Sequence, residues 1–194
     1  MKYHLLLFLS LLTFGANAQL DVELTSHTDK EKLKQLQLER VTQQYDLAKW
    51  TFTDKVLIDE SATRPYSHPT LTITVSRPSD DGSFLSQYLH EQIHWFEDSR
   101  QIEVNKVVAT LKQKYPNAPI TGPEGADGVF STYLHLAVCL LEYDALTELL
   151  GKQKANEVIS TNSKYFYKWI YRTVLADPEF IRNVLKQSDL YINE

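Results

Sequence analysis

The chain has 194 residues, with 20 Lys and Arg against 25 Asp and Glu, a formal charge of −5, and 43% hydrophobic residues. That composition belongs to a globular protein with a core, not a disordered one, and scattered charges without a basic stripe exclude nucleic acid as the expected partner. A single cysteine, Cys139, excludes an internal disulfide.

Met1 to His4 is weakly basic, Leu5 to Phe14 is an apolar run, and Ala16-Asn17-Ala18 presents small residues where a signal peptidase reads them. The pattern predicts residues 1–18 to be an export signal and the mature protein to be periplasmic or secreted. Spanning a bilayer takes about 20 apolar residues. The leader is shorter, no later stretch reads as long enough, and no cysteine follows the cleavage site to carry a lipid. No membrane anchor is therefore expected. Residues 19–194 suit one domain with its own core and are too few for two ordinary ones. Nothing in the sequence specifies an oligomeric state.

Thr28-Asp29-Lys30-Glu31 reads as a capping box opening a helix to about Trp50, with Leu38, Val41, Tyr45 and Ala48 at spacings of three and four. Lys55 to Asp59 reads as a short strand. Leu71, Ile73 and Val75 alternate with Thr70, Thr72, Thr74 and Ser76, which predicts a strand with one buried and one polar face. Ser79 to Ser83 offers a turn with N-cap oxygens. A helical stretch then runs from Phe84 towards Tyr115, with an irregularity around Asp98 to Gln101. Tyr115 to Gly128, rich in proline and glycine, reads as a loop. Ser131 to Leu150 is an apolar helix ended by Gly151. Helices over Ser163 to Leu175 and from Asp177, with Pro178 at its first position, follow. The expected fold class is α+β, mostly helical, with a small sheet early in the domain.

His90-Glu91-Gln92-Ile93-His94 carries the chemistry. Residues four apart share a helix face, so both imidazoles can reach one zinc ion at about 2.0–2.1 Å. Glu91 leaves that face but stays close enough to take a proton from a metal-bound water, whose pKa zinc lowers towards ~7. The flanks Tyr88, Leu89, Trp95 and Phe96 are uncharged, as expected for a helix buried through a domain.

The motif and its flanks resemble the signature of the zincin metallopeptidases. The resemblance covers this helix and one later helix. It implies a zinc-dependent hydrolase acting on peptide or protein substrates. It also implies an active helix beneath a cleft, beside a sheet whose edge strand pairs with an extended peptide; Leu71 to Val75 is the candidate strand. The metzincin branch places glycine three and histidine six residues after the motif, where this chain has Glu97 and Arg100, and is excluded. The gluzincin branch takes a glutamate from a downstream helix, often with alanine three residues on, and Glu142 with Ala145 fits. A carboxylate on so apolar a helix needs a partner, and a metal is one.

His135, seven residues before Glu142, projects from nearly the same side. It could be the third ligand, a supporting group, or an oxyanion stabiliser. The expected set is therefore zinc on His90, His94 and Glu142, with Glu91 as base and His135 as catalytic partner. Tyr88, Tyr133 and Tyr143 are further candidate oxyanion donors, and Cys139 reads as core. Two other functions compete: a non-catalytic zincin-like domain stabilised by zinc, and a helical interaction protein whose motif is accidental.

Overall fold

The computed structural model describes residues 20–76 and 80–193. The expected export signal, residues 1–18, lies outside the described residues, and Ser79 of the expected turn lies outside them too. Three short strands, β1 (Asp21–Leu24), β2 (Lys55–Asp59) and β3 (Leu71–Thr74), form a parallel sheet in that order. Val22 stands beside Val56, and Ile58 beside Ile73. Helix α1 (Asp29–Gln44) makes the crossover between β1 and β2 that a parallel pair requires. Thr28 caps it, its Oγ1 accepting from the Glu31 N–H at 3.3 Å. The Glu31 carboxylate draws on the backbone N–H of Thr28 in return, as a capping box does, and also reaches those of Ser26 and Glu60. The helix stops at Gln44, short of Trp50, because Tyr45 turns to extended backbone; Ala48–Trp50 is a separate 3-10 turn.

The rest is helical: α2 (Asp81–Asp98), α3 (Gln101–Lys114), α4 (Val129–Leu150), α5 (Lys152–Asn162), α6 (Lys168–Ala176) and α7 (Pro178–Gln187). The irregularity expected near Asp98 is the break between α2 and α3. Helix α5 is an element beyond those the sequence pattern predicts, and α6 starts at Lys168 instead of Ser163. Asp177 precedes α7 without a side-chain cap, its carboxylate accepting from the Tyr115 hydroxyl instead.

α4 is apolar around its whole circumference, the mark of a helix surrounded by protein, and it packs against α2, α3, α5, α6 and α7. By length and composition it could cross a membrane, contrary to the expectation that no stretch after the leader would. Most of it, 72% of its most apolar window, is buried inside the fold. Its Leu136, Leu140, Leu141 and Leu146 join Leu85, Leu89 and Ile93 of α2 in one continuous core.

One expectation for the sheet fails. Thr72 and Thr74, the polar face of β3, are buried at 0% and 5% exposure. The chain between β2 and β3 folds back over them: Tyr66 pairs antiparallel with Thr72, and the Thr74 hydroxyl donates to the Ala62 carbonyl. A threonine hydroxyl satisfied by backbone can be buried like an apolar group. This face is therefore not a cleft wall, and the outer edge of β3 is occupied at Thr72.

Candidate metal centre

Asp80 fixes the start of α2, its Oδ1 accepting from the Gly82 and Ser83 N–H groups at 3.0 and 3.1 Å. Along the buried side of this helix, Ser86, His90 and His94 recur every four residues and face α4, which brings His135, Cys139 and Glu142. The ring centroids of His90, His94 and His135 form a nearly equilateral triangle with sides of 5.1, 5.3 and 5.1 Å. One ligand atom from each lies within 4.8 Å of the other two.

What faces the other ring nitrogens defines the arrangement. His90 Nδ1 is 3.0 Å from Glu142 Oε2, His135 Nδ1 is 2.8 Å from the Ser131 carbonyl, and His94 Nδ1 is 3.6 Å from Glu97 Oε2. Each Nδ1 looks at an acceptor, which leaves the Nε2 atoms for a shared ligand. Metal-binding histidines are habitually held this way, because the acceptor fixes tautomer and ring orientation.

The electrostatics agree with a cation site. Burial, together with the neighbouring imidazole charge, holds His90 and His135 well below the ordinary histidine range, so both keep a free lone pair at neutral pH. Burial opposes charge on His94 as well, but Glu97, Glu91 and Glu142 outweigh it and raise its pKa. Burial pushes Glu91 up to about 7, with His94 working against the shift and Glu142 adding to it. A carboxyl poised there can act as a base near neutral pH. Among the described residues no protein group donates a hydrogen bond to it.

Glu142 is 1% exposed and pushed up to about 8 by burial, although hydrogen bonds from Ser86 and Tyr171 hold it down. The Tyr171 hydroxyl donates at 3.1 Å, and Ser86, which itself accepts from Asn162 Nδ2 at 2.8 Å, donates to the other oxygen. Glu142 thus meets the His90 ring from behind. With His90 and Cys139 it also forms a second group whose ligand atoms lie within 4.8 Å, all three residues buried. The thiol of Cys139 is raised well above its ordinary range by burial and by Glu142, consistent with a core residue.

The tyrosine packed against these imidazoles is one that no sequence pattern singles out. Tyr167 precedes α6 in the left-handed region (φ 52°, ψ 33°), a conformation that strains a bulky residue. Its ring lies 4.6 Å from His135 and 5.6 Å from His90, nearly parallel to the latter. Its hydroxyl makes no protein hydrogen bond among the described residues. Burial, then Cys139, Glu91 and Glu142, raise its pKa, so it remains a donor. Of the tyrosines the sequence suggests, Tyr88 is engaged by Gln92 at 2.9 Å and Tyr133 donates to the Tyr115 carbonyl at 2.7 Å. Arg64, in the β2–β3 connection, is close enough to lower the pKa of both Glu91 and Tyr167.

The structure therefore brings His90, Glu91, His94, His135 and Glu142 into one centre, and adds Tyr167, Ser86, Tyr171 and Glu97 to it. Comparison with protein-family models, with curated proteins and with solved structures finds no match for this chain.

Proposed function

We propose that this protein is a zinc-dependent hydrolase of zincin type that cleaves peptide or related amide bonds, with His90, His94 and His135 holding the metal. One observation carries the reading: three imidazoles converge at 5.1–5.3 Å while every Nδ1 is turned to an acceptor. Three imidazole nitrogens suit zinc, which in catalytic sites commonly takes three protein ligands and leaves a position open; the ion would displace the proton that the surrounding acids favour on His94. When bound, zinc supplies Lewis acidity and lowers the pKa of water towards ~7.

The protein groups divide the remaining work. Glu91 receives the proton of the attacking water, and its poise near 7 lets it pass that proton on to the leaving amine. The Tyr167 hydroxyl, without a hydrogen-bond partner among the described residues, donates to the negative charge that develops on the substrate oxygen. Glu142 keeps His90 in the tautomer whose Nε2 faces the centre, and the Ser131 carbonyl does the same for His135. On this reading Glu142 supports a ligand and His135 is one, the reverse of the roles expected from the gluzincin pattern.

The competing group of His90, Cys139 and Glu142 would make a closed, structural site. It is disfavoured because Glu142 already accepts from Ser86, Tyr171 and His90, and a metal would have to displace those donors. Elemental analysis of purified protein, followed by a digest of a broad peptide library with native protein and Glu91→Gln, tests the proposal. Stoichiometric zinc and cleavage that disappears in the variant are expected. A folded protein indifferent to zinc would end the reading.

A further inference from the structure

Where the last turn of α2 meets the starts of α3 and α4 there is a cavity of about 130 Å³, lined by His94, Glu97, Asp98 and Gln101 on one side and by Phe130 and Leu134 on the other. Whole-ligand pockets run to about 300–1,000 Å³, so this one has room for a single side chain. It shares His94 with the proposed metal centre.

Its chemistry is two-sided. Glu97 is 3% exposed, and neither of its oxygens accepts a hydrogen bond among the described residues. His94 Nδ1 stands 3.6 Å from Oε2, beyond normal hydrogen-bond reach, and Oε1 has no hydrogen-bond partner among the described residues. A carboxylate offers about four acceptor positions, and leaving buried ones empty costs stability, so native structures rarely do it without reason. Asp98, its side chain 62% exposed, adds a second carboxylate at the mouth, 3.8 Å from His68 Nε2. The opposite wall, Phe130 and Leu134, is apolar. Glu97 belongs to neither group of residues whose ligand atoms approach closely enough to hold a metal.

We infer that this cavity receives the basic side chain, lysine or arginine, of a peptide substrate bound at the neighbouring centre. The methylene stem lies along Phe130 and Leu134, and the N–H donors reach Glu97, with Asp98 screening the entrance. An amphipathic stem with a cationic head is the one natural side-chain type that matches an apolar wall ending in an unsatisfied acceptor. As a substrate subsite the cavity rests on the hydrolase reading; as a cation-accepting cavity it does not.

The test uses the full chain and begins without catalysis. Binding of n-butylguanidinium, n-butylammonium and neutral 1-pentanol is followed by protein NMR, with and without zinc. The cations are expected to bind about tenfold or more tighter than the alcohol, as charge-assisted hydrogen bonds would give. Glu97→Gln should abolish that preference. Asp98→Lys, at an exposed position that leaves the Glu97–His94 contact intact, should weaken both cations and spare the alcohol. Equal binding of cation and alcohol, or a preference that survives both variants, would overturn the inference. A library digest by the zinc-loaded protein separates it from the reading beneath: cleavage without enrichment of Lys or Arg at a fixed position sinks the subsite and leaves the hydrolase. Selective cation binding without any cleavage sinks the hydrolase and leaves the cation site.

Discussion

Glu142→Gln is the substitution that best separates a ligand from a group that holds one. The native carboxylate is 1% exposed and accepts from Ser86, from Tyr171 at 3.1 Å and from His90 Nδ1 at 3.0 Å. An amide keeps the volume and one acceptor oxygen but replaces the other with a donor. Placed towards Tyr171 and Ser86, the oxygen leaves an N–H facing His90 Nδ1, and the ring must then turn or change tautomer. Losing such a support typically costs 10–100-fold in metal affinity, about 1.4–2.7 kcal/mol. Removing a ligand costs far more, since each carries a large share of the ~10–16 kcal/mol with which zinc binds a complete structural site. Competition with a chromogenic chelator at fixed pH gives the zinc dissociation constants of the native protein, Glu142→Gln and His135→Ala. The expected order is native, then Glu142→Gln one to two decades weaker, then His135→Ala weaker by several decades. Loss of zinc from Glu142→Gln alongside near-native retention in His135→Ala would refute the argument and return Glu142 to the metal.

Glu91→Gln should retain zinc by the same titration while hydrolysis falls by about 10²–10⁴, the range for a lost general base; a persistently active variant removes Glu91 from the mechanism. Tyr167→Phe should leave zinc affinity unchanged and lower kcat by about 10²–10³, as for an oxyanion donor, and an unaltered kcat makes Tyr167 a packing residue. In metal-free protein, Glu142 is raised to about 8 from an ordinary 4.5, so its contribution to stability is complete below 4.5 and lost as pH rises through 8. His90 and His135, lowered from 6.5, act oppositely, and their contribution is fully present only above 6.5. Thermal melts of the metal-free protein should therefore fall between pH 6.5 and 8, by on the order of 2 kcal/mol. Glu142→Gln should flatten that fall, and melts that rise with pH over this window would count against a buried, protonated Glu142.

The motif helix was legible because its information is local. A four-residue spacing places His90 beside His94 whatever the rest of the chain does, and Asp80 announces the helix start. His135 and Glu142 were legible as a pair on one side of α4, but not in their order of approach. That order depends on how α4 lies against α2, a tertiary quantity no single-helix pattern contains. Tyr167 was invisible because it arrives from a turn in a left-handed conformation that nothing nearby signals. Glu97 was read only for what it was not, a glycine, and its burial depends on α3 and α4 closing over it. The threonines of β3 misled because alternation reports polarity, not exposure, and the connection that buries them has no periodicity. Helix α5 escaped because Gly151 both ends α4 and begins α5, so one stop signal concealed a start.

The chain of hydrogen bonds behind His90 ends in an unexpected place. From His90 it runs through Glu142 and Ser86 to Asn162, the last residue of α5, and a branch runs through Tyr171 into α6. The residues between those helices, 163–167, are the turn that delivers Tyr167 to the imidazoles. One short segment is thus tied to the centre twice, once from behind His90 and once from its open side. Opening this turn would loosen the grip on His90 and withdraw the hydroxyl together. Thermodynamic reciprocity then requires a metal that prefers the anchored ring to stabilise the closed turn by the same free energy. Amide exchange in residues 163–167 should accordingly report on zinc occupancy at a centre to which those amides contribute no ligand.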